Sequence, residues 1–500
     1  MASGCFFTFA ETKQNMMSEP TRELAEMSVA RLMLKYFIPA FIGVFVNALY
    51  NVVDRVFIGQ GVGSIALSGI SAIFPIMLIV MGFGMLIGIG TGVLVSINLG
   101  KRDMNRAERV LGSGFLLMLL VSVLITIIGF SIKGPLLKSF GATSETLGYA
   151  NDYLNIILAG TVFQVVGFSL NNVIRAEGNA RIAMVSMIIS AGTNLILDPV
   201  FIFGFGMGVK GAAYATVISM MVLSIWVLVH FYGKRSVVKL KAKDIVFDRV
   251  ILFEIMAIGM APFFMQIANS FVQGLLNTQL IAFGGDLAVG AMGIVNSVAT
   301  LIIMAIVAIN LASQPILSFN YGARSFRRVK ETLRIGLIAS SSMAVFAFLI
   351  VETFPAAIVR LFNSTDSGLL SIGREGLQIG LMALPVVGFQ VVTGNFFQSL
   401  GKAKIAVLLT LLRQVIILIP LLYILPGFFG LRGIWFAMPL SDFGSALIVT
   451  FFLVGHWRKL NAKALAISGR NPDRQTFLNR SERVPHQIFE GTKSPRKGTC

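Results

Sequence analysis

The thirty residues from Ile70 to Leu99 read ISAIFPIMLIVMGFGMLIGIGTGVLVSINL and contain no charged side chain. A helix needs about 20 consecutive apolar residues to cross the hydrocarbon of a bilayer, and this run exceeds that. Phe37 to Val53 has the same character. The whole chain agrees: of its 500 residues 56% are hydrophobic and 13% charged, with a mean hydropathy of +0.82. Soluble domains carry about 25% charge. A collagen, a disordered chain and a cytosolic enzyme are excluded, and the 50 glycines suit close helix packing in lipid.

Working outward from this stretch gives twelve apolar segments, at 32–58, 67–98, 110–132, 150–174, 182–204, 210–232, 250–283, 287–318, 333–354, 376–400, 405–429 and 432–455. Each is long enough to span as a helix, whereas barrel strands would be shorter and alternating. The expected fold is an all-α integral membrane protein with twelve spans in two six-helix lobes. The lobes cover 31–232 and 250–456, joined by a cytoplasmic linker at 233–249. A polar segment, 1–30, precedes them. A basic tail, 457–500, follows and is expected to be disordered, because it has little to bury. Cys5–Ala10 is too short for the apolar core of a secretory signal. Cys5 and Cys500 are the only cysteines, which leaves no disulfide framework or thiolate metal site to expect.

The formal charge of +18 would suit a nucleic-acid binder, but the placement of the basic residues says otherwise. Of 41 Lys and Arg, 33 fall in the termini and even-numbered loops, including Lys101, Arg102, Arg106, Arg109, Arg324, Arg327, Arg328 and Lys330. Six fall in the odd loops (Lys133, Lys138, Lys210, Arg360, Arg374 and Arg432), and Arg55 and Arg413 lie within spans. Positive loops stay inside. Both termini are therefore expected in the cytoplasm, and no nucleic-acid partner is.

The halves repeat. Pro39 matches Pro262, the loop Asn98–Arg102 matches Asn320–Arg324, Gly178–Ala183 matches Gly401–Ala406, and Gly211 precedes Tyr214 as Gly433 precedes Phe436. The offsets are 223, 222, 223 and 222. Six spans separate the copies, so the repeat keeps its orientation and implies a pseudo-two-fold axis along the membrane normal. Such folds bind between halves and work by alternating access.

Ionisable groups deep in a bilayer cost several kcal/mol and mark functional sites by default. Only Asp54, Asp198 and Asp442 are deep acids here. Asn51 and Asn47 share the helix face of Asp54, three and seven residues before it. Asn194 lies one turn before Asp198, and Pro199 directly follows it. Thr216, six residues into span six, lies at a similar depth. Two carboxylates at one level of a low-dielectric cleft cannot both ionise cheaply, which suits a proton carrier. The same oxygens could hold Na⁺. The plainer alternative is that each Asp hydrogen-bonds a neighbouring helix. The repeat places Asn277 opposite Asp54 and Leu421 opposite Asp198, so coupling is expected in the N-terminal half alone.

Asp442 and Arg413 both come out near the midplane on antiparallel neighbours, and a structural ion pair is the preferred reading, with a second coupling site as the alternative. Gln164, Asn171 and Asn172 on span four are cavity candidates; the Met and Phe side chains are mostly core or lipid-facing. There is no GxxxxGK[ST] for ATP, and His230, His456 and His486 are too scattered for a metal site. No cofactor is expected beyond the coupling ion.

Pro39 through Asn51-Val-Val-Asp54, Arg175-Ala-Glu-Gly178, Asn194-Leu-Ile-Leu-Asp198-Pro199 and Gly211-Ala-Ala-Tyr-Ala-Thr216 resemble the multidrug and toxic compound extrusion (MATE) transporters. The resemblance covers about 30–456 and is nearest to DinF-type bacterial exporters. It implies two six-helix lobes and export of organic, often cationic, drugs driven by H⁺ or Na⁺. The acids matching Asp54 and Asp198, with Asn194 and Thr216, would couple the ion, and Pro39 is a candidate bending point. Span seven carries Gln266, Gln273 and Asn277 but no carboxylate, so Gln273 and Asn277 rank as substrate contacts with Asn47 and Asn51. The expected protein is a monomeric H⁺-coupled antiporter in the inner membrane of a prokaryote. A lipid-linked oligosaccharide flippase would need more cavity cations than Arg55 and Arg413. A membrane-embedded prenyltransferase would need clustered Asp motifs. A non-transporting sensor is disfavoured by the two half-cavities.

Overall fold

A computed structural model describes residues 18–140, 143–362 and 366–469, with the side chains of 64, 67 and 464–469 left aside. Every regular element among them is helical. By length and hydropathy nine helices can cross a membrane, and two bent pairs raise this to eleven. One of these, Arg249–Gly322, is two helices broken at Gly285 (φ 66°, ψ −164°), which brings the number of spans to twelve. The expected class, an all-α membrane protein of twelve spans in two lobes, holds.

Span boundaries follow the hydrophobic runs. The first is Val29–Gly61, the second Ser64–Gly100, the third Met104–Ser139 and the sixth Gly208–Tyr232. Four spans are less regular than a run of apolar residues suggests. The fourth breaks by 55° between Leu147–Ala159 and Thr161–Ala176, and the tenth by 50° between Ser367–Gly380 and Leu384–Ser399. The fifth, Ala180–Pro199, widens into a π turn at Val200–Gly204, where Pro199 lacks an N–H for the ordinary ladder. The eleventh widens at Leu412–Ile417. Aspartates close the helix starts: Asp103 accepts from the Arg106 N–H, Asp248 from Val250 and Ile251, and Asp366 from Gly368 and Leu369.

The repeat extends to the backbone. All but one of the left-handed residues come in mates: Gly63 with Gly285, Arg102 with Arg324 and Gly208 with Gly430 are each 222 apart, and Gly178 with Gly401 is 223 apart, while Gly206 has no mate. The crossing of spans two and eight is reciprocal. A Cβ on Gly100 would overlap the Phe319 carbonyl, and a Cβ on Gly322 would overlap that of Ile97, the mate of Phe319. A contact in which i meets j and j meets i is what a two-fold axis produces. Gly90 and Gly259 similarly admit the Ile255 and Leu86 carbonyls.

By internal contacts, residues 1–453 form one unit and 454–500 another. Large apolar side chains are exposed along the spans, among them Leu447 at 76% and Phe253 at 70%; lipid is the solvent that accepts them. The last helix, Leu431–Gly469, continues past the apolar segment. Residues 457–469 are therefore helical rather than disordered as their composition suggested, because Leu460, Ala462, Lys463 and Ala464 are good helix formers. The rest of the expected tail, 470–500, and the terminal residues 1–17 lie outside the described residues. Within 18–30 a short helix, Glu19–Glu26, precedes the first span.

The glycine crossings give a direct test. Gly259→Ala or Gly322→Ala forces two backbones apart and should cost about 1–3 kcal/mol. Gly192→Ala, whose added Cβ meets nothing within 4 Å, should not. Thermal unfolding of the three variants in detergent checks this, with a lowered midpoint expected for the first two only.

Candidate functional site

Span one presents Asn47, Tyr50, Asn51 and Asp54 at helical spacing, because residues three and four apart share a face. Asn51 donates to the Asn47 carbonyl at 2.7 Å and is exposed, while Asp54 is half-buried. Span five supplies Asn194 and Asp198, 1% and 0% exposed, just before the π turn. Asn194 Nδ2 donates to Asp198 Oδ1 at 3.3 Å and to Thr216 Oγ1 of span six at 3.5 Å. The carboxyl groups of Asp54 and Asp198 stand within interacting distance of each other. The structure thus brings together all four residues that the sequence placed at one level.

Two tyrosines complete the cluster. The Tyr153 hydroxyl from span four lies against Thr216, and the Tyr50 hydroxyl lies by Asn47 and Asn51; both sit near the two aspartates. Tyr50 was findable in the sequence, one turn before Asp54. Tyr153 carried no signal, because only the fold brings span four here.

Asp54 Oδ1, Asn194 Oδ1 and Asp198 Oδ2 are buried and take no hydrogen bond among the described residues. Two buried carboxylates side by side are costly unless a proton or a cation lies with them. An all-oxygen set of this kind suits either, a hard monovalent cation included. Among the described residues no group of three His, Cys, Asp or Glu forms a metal-binding set.

Toward the Asn47 end of span one a cavity of about 150 Å³ opens, lined by spans one, two, four, five and six. Asn47, Tyr50, Asn51, Gln164 and Asn171 line it with Met77, Met81, Met187, Met220, Phe74 and Phe168. The thioethers make its wall deformable. Gln164 Oε1 takes no hydrogen bond among the described residues. Asn171 is spent instead: it donates to the Ala183 carbonyl and Ser186 Oγ at 2.9 and 2.7 Å and accepts from Arg175. Asn172 donates to the Phe168 carbonyl at 2.9 Å and is not in the wall.

Gln273 and Asn277 lie in the other half, away from this cavity. Gln273 donates to Asn277 Oδ1 and accepts from Asn296, each at 3.3 Å, a neutral amide ladder that includes one residue the sequence did not single out. Leu421, the mate of Asp198, packs in an apolar cluster with Leu422 and Trp435. Arg413 Nε is 3.3 Å from Asp442 Oδ1, and Ser441 donates to the Arg413 carbonyl at 2.6 Å inside the π turn. Arg55 lies over the Phe74 ring, 4.9 Å from its centroid. Pro39 is buried within an unbroken first helix.

The MatE family model matches this chain twice, at residues 39–200 and 261–424, once in each half. The chain belongs to the MatE family. Multidrug export protein MepA of Staphylococcus haemolyticus (strain JCSC1435) is 27% identical over 438 residues, 88% of this chain and 96% of that one. MepA of Staphylococcus aureus (strain MRSA252) is 27% identical over 85% of this chain and 94% of its own. Among solved structures, the MATE multidrug transporter DinF-BH in complex with rhodamine 6G is 40% identical with a TM-score of 0.80, covering 85% and 95% of the two chains. An outward-facing MATE family transporter of the MOP superfamily matches at 26% identity and TM-score 0.82, covering 90% and 99%. This MatE chain is thus a multi-pass membrane protein of a transporter family.

The Arg413–Asp442 pair makes a prediction. Removing one partner strands a charge in a poor dielectric, whereas replacing both with apolar residues does not. Arg413→Met and Asp442→Leu should each destabilise by about 3–5 kcal/mol, and the double variant by clearly less than either. Unfolding midpoints in detergent check it; additive losses would show that the two charges do not compensate each other.

Proposed function

We propose that this protein exports organic, drug-like cations from the cell in exchange for an ion, H⁺ first and Na⁺ second, by alternating access. The observation that carries the reading is the Asp54–Asp198 pair, held with Asn194 and Thr216 beside a methionine-walled cavity. MepA is named a multidrug export protein, and DinF-BH was solved with rhodamine 6G, which supports the substrate class. A soft apolar wall discriminates weakly between shapes, while one or two anionic charges nearby favour a cationic guest. The basic-loop bias supports cytoplasmic termini; on this reading the chain is a monomer in the inner membrane of a prokaryote.

In this cycle a proton from outside neutralises one carboxylate of the pair. The attraction for the guest falls, the guest leaves outward, and the protonated half then returns to the inward state. Binding of proton and guest at overlapping charge is what makes them exclude each other. Tyr50, shared by the cluster and the cavity wall, is the contact through which the two sites sense each other.

Everted vesicles loaded with this protein should take up rhodamine 6G when the lumen is acidified. Asp198→Asn and Asp54→Asn should each lower that uptake at least tenfold, with protein levels unchanged. A sodium gradient alone should drive less uptake than a proton gradient. Full ΔpH-driven uptake by both variants would refute the coupling role of the pair.

A further inference from the structure

Each half is entered through a lead-in segment, residues 19–28 before the first span and 241–248 before the seventh, and the 222-residue offset relates their positions in the chain. The second lead-in is the end of the linker. It docks on the corner between spans two and three: Lys241 bonds Glu108, Arg109 Nη2 is 3.2 Å from Asp248, and Arg106 Nη2 is 3.1 Å from Glu254 in the helix that follows.

The first lead-in docks on the mate of that corner, in the other half. Asn320, the mate of Asn98, donates to the Leu24 carbonyl at 3.2 Å. Arg328, the mate of Arg106, donates to the carbonyls of Leu24 at 3.1 Å and Met27 at 2.7 Å, and its Nε is 3.0 Å from Asn320 Oδ1. The last carbonyls of a helix have no donor of their own, so Arg328 serves as the C-terminal cap of Glu19–Glu26 and places a cation at its negative end. Leu24 is 0% exposed. On its other side the helix rests on the N-terminal half: Glu23 pairs with Lys35 at 2.5 Å, and Gly178 faces Pro20 and Leu24.

The two lead-ins differ in one mechanical respect. The linker segment is tied to a span at both ends. Among the described residues Glu19–Glu26 joins a span through 27–28 alone, and eight residues are too few for a stable isolated helix. Its order therefore depends on its dock.

We propose that helix Glu19–Glu26 is a releasable strap, clamped by Arg328 and Asn320, that ties the two halves together on the face carrying the basic loops and undocks when that face opens. The proposal rests on the alternating-access reading above. It assigns Arg328 a positioning role, outside the acid pair and the cavity wall.

The test uses full-length protein with Cys5→Ser and Cys500→Ser, carrying Leu24→Cys, in vesicles whose basic-loop face is accessible to an impermeant maleimide. With the strap docked the thiol is covered and labelling is slow. Arg328→Gln removes charge-assisted bonds and should speed labelling about tenfold or more, with Arg328→Lys falling between. In the protein that keeps Arg328, labelling should rise several-fold when rhodamine 6G and a proton gradient drive turnover. Arg22→Cys, on the exposed side of the same helix, should label fast throughout. Equal Leu24→Cys labelling with and without Arg328, or a rate indifferent to turnover while the dye moves, would overturn the strap. The Arg328 comparison needs no substrate, so loss of dye transport would count against the export reading and leave the strap standing.

Discussion

The two halves meet at the crossing of spans two and eight, where Gly100 and Gly322 let two main chains touch. In lipid there is no hydrophobic force between helices, so contact at backbone level is a principal source of attraction. A single Cβ on either glycine would meet a carbonyl of the other helix. The reciprocity of the contact fixes the axis, and the axis places the cavity of one half and the amide ladder of the other.

Around that axis the halves share corners but not chemistry. All but one of the left-handed residues recur in mates, and the fourth and tenth spans bend alike. The deep charges do not recur: Asp198 faces Asp54 beside one π turn, whereas the other half holds a half-buried Arg413–Asp442 pair at its own π turn and puts Leu421 where Asp198 would be. A paired charge is locally quiet. The two facing carboxylates are not, so the two halves differ in their local charge balance.

The fold was largely legible in the sequence because a bilayer imposes a length. Twelve runs of sufficient hydropathy suffice to give twelve spans, and the offset of 222–223 gives their symmetry. Bends were not legible: an apolar run reads the same whether or not Gly160 breaks it. The helix at 457–469 was masked by the polar residues that follow it, although its own composition favours helix. In the site, Asp54 and Asp198 stood out because carboxylates are rare in such runs. Tyr153 did not, since tyrosine is ordinary there and only packing brings it to Thr216. Asn171 and Asn172 looked equal in the sequence, yet neighbours on a helix point about 100° apart, and only the first reaches the cavity wall.

Arg102 and Arg324 hold φ of 62° and 57° at mate corners, where a glycine would be free of strain. A left-handed L-residue gives up about 1–2 kcal/mol of folding free energy. What these positions keep in return is a positive charge between spans two and three and again between eight and nine. Such charges act during biosynthesis, when the translocating machinery sorts loops by their basic residues. The same side chain thus works against the finished fold and in favour of the orientation in which that fold is threaded. The residue that would relax the backbone at these two corners, glycine, is thus not one that can mark a loop as basic.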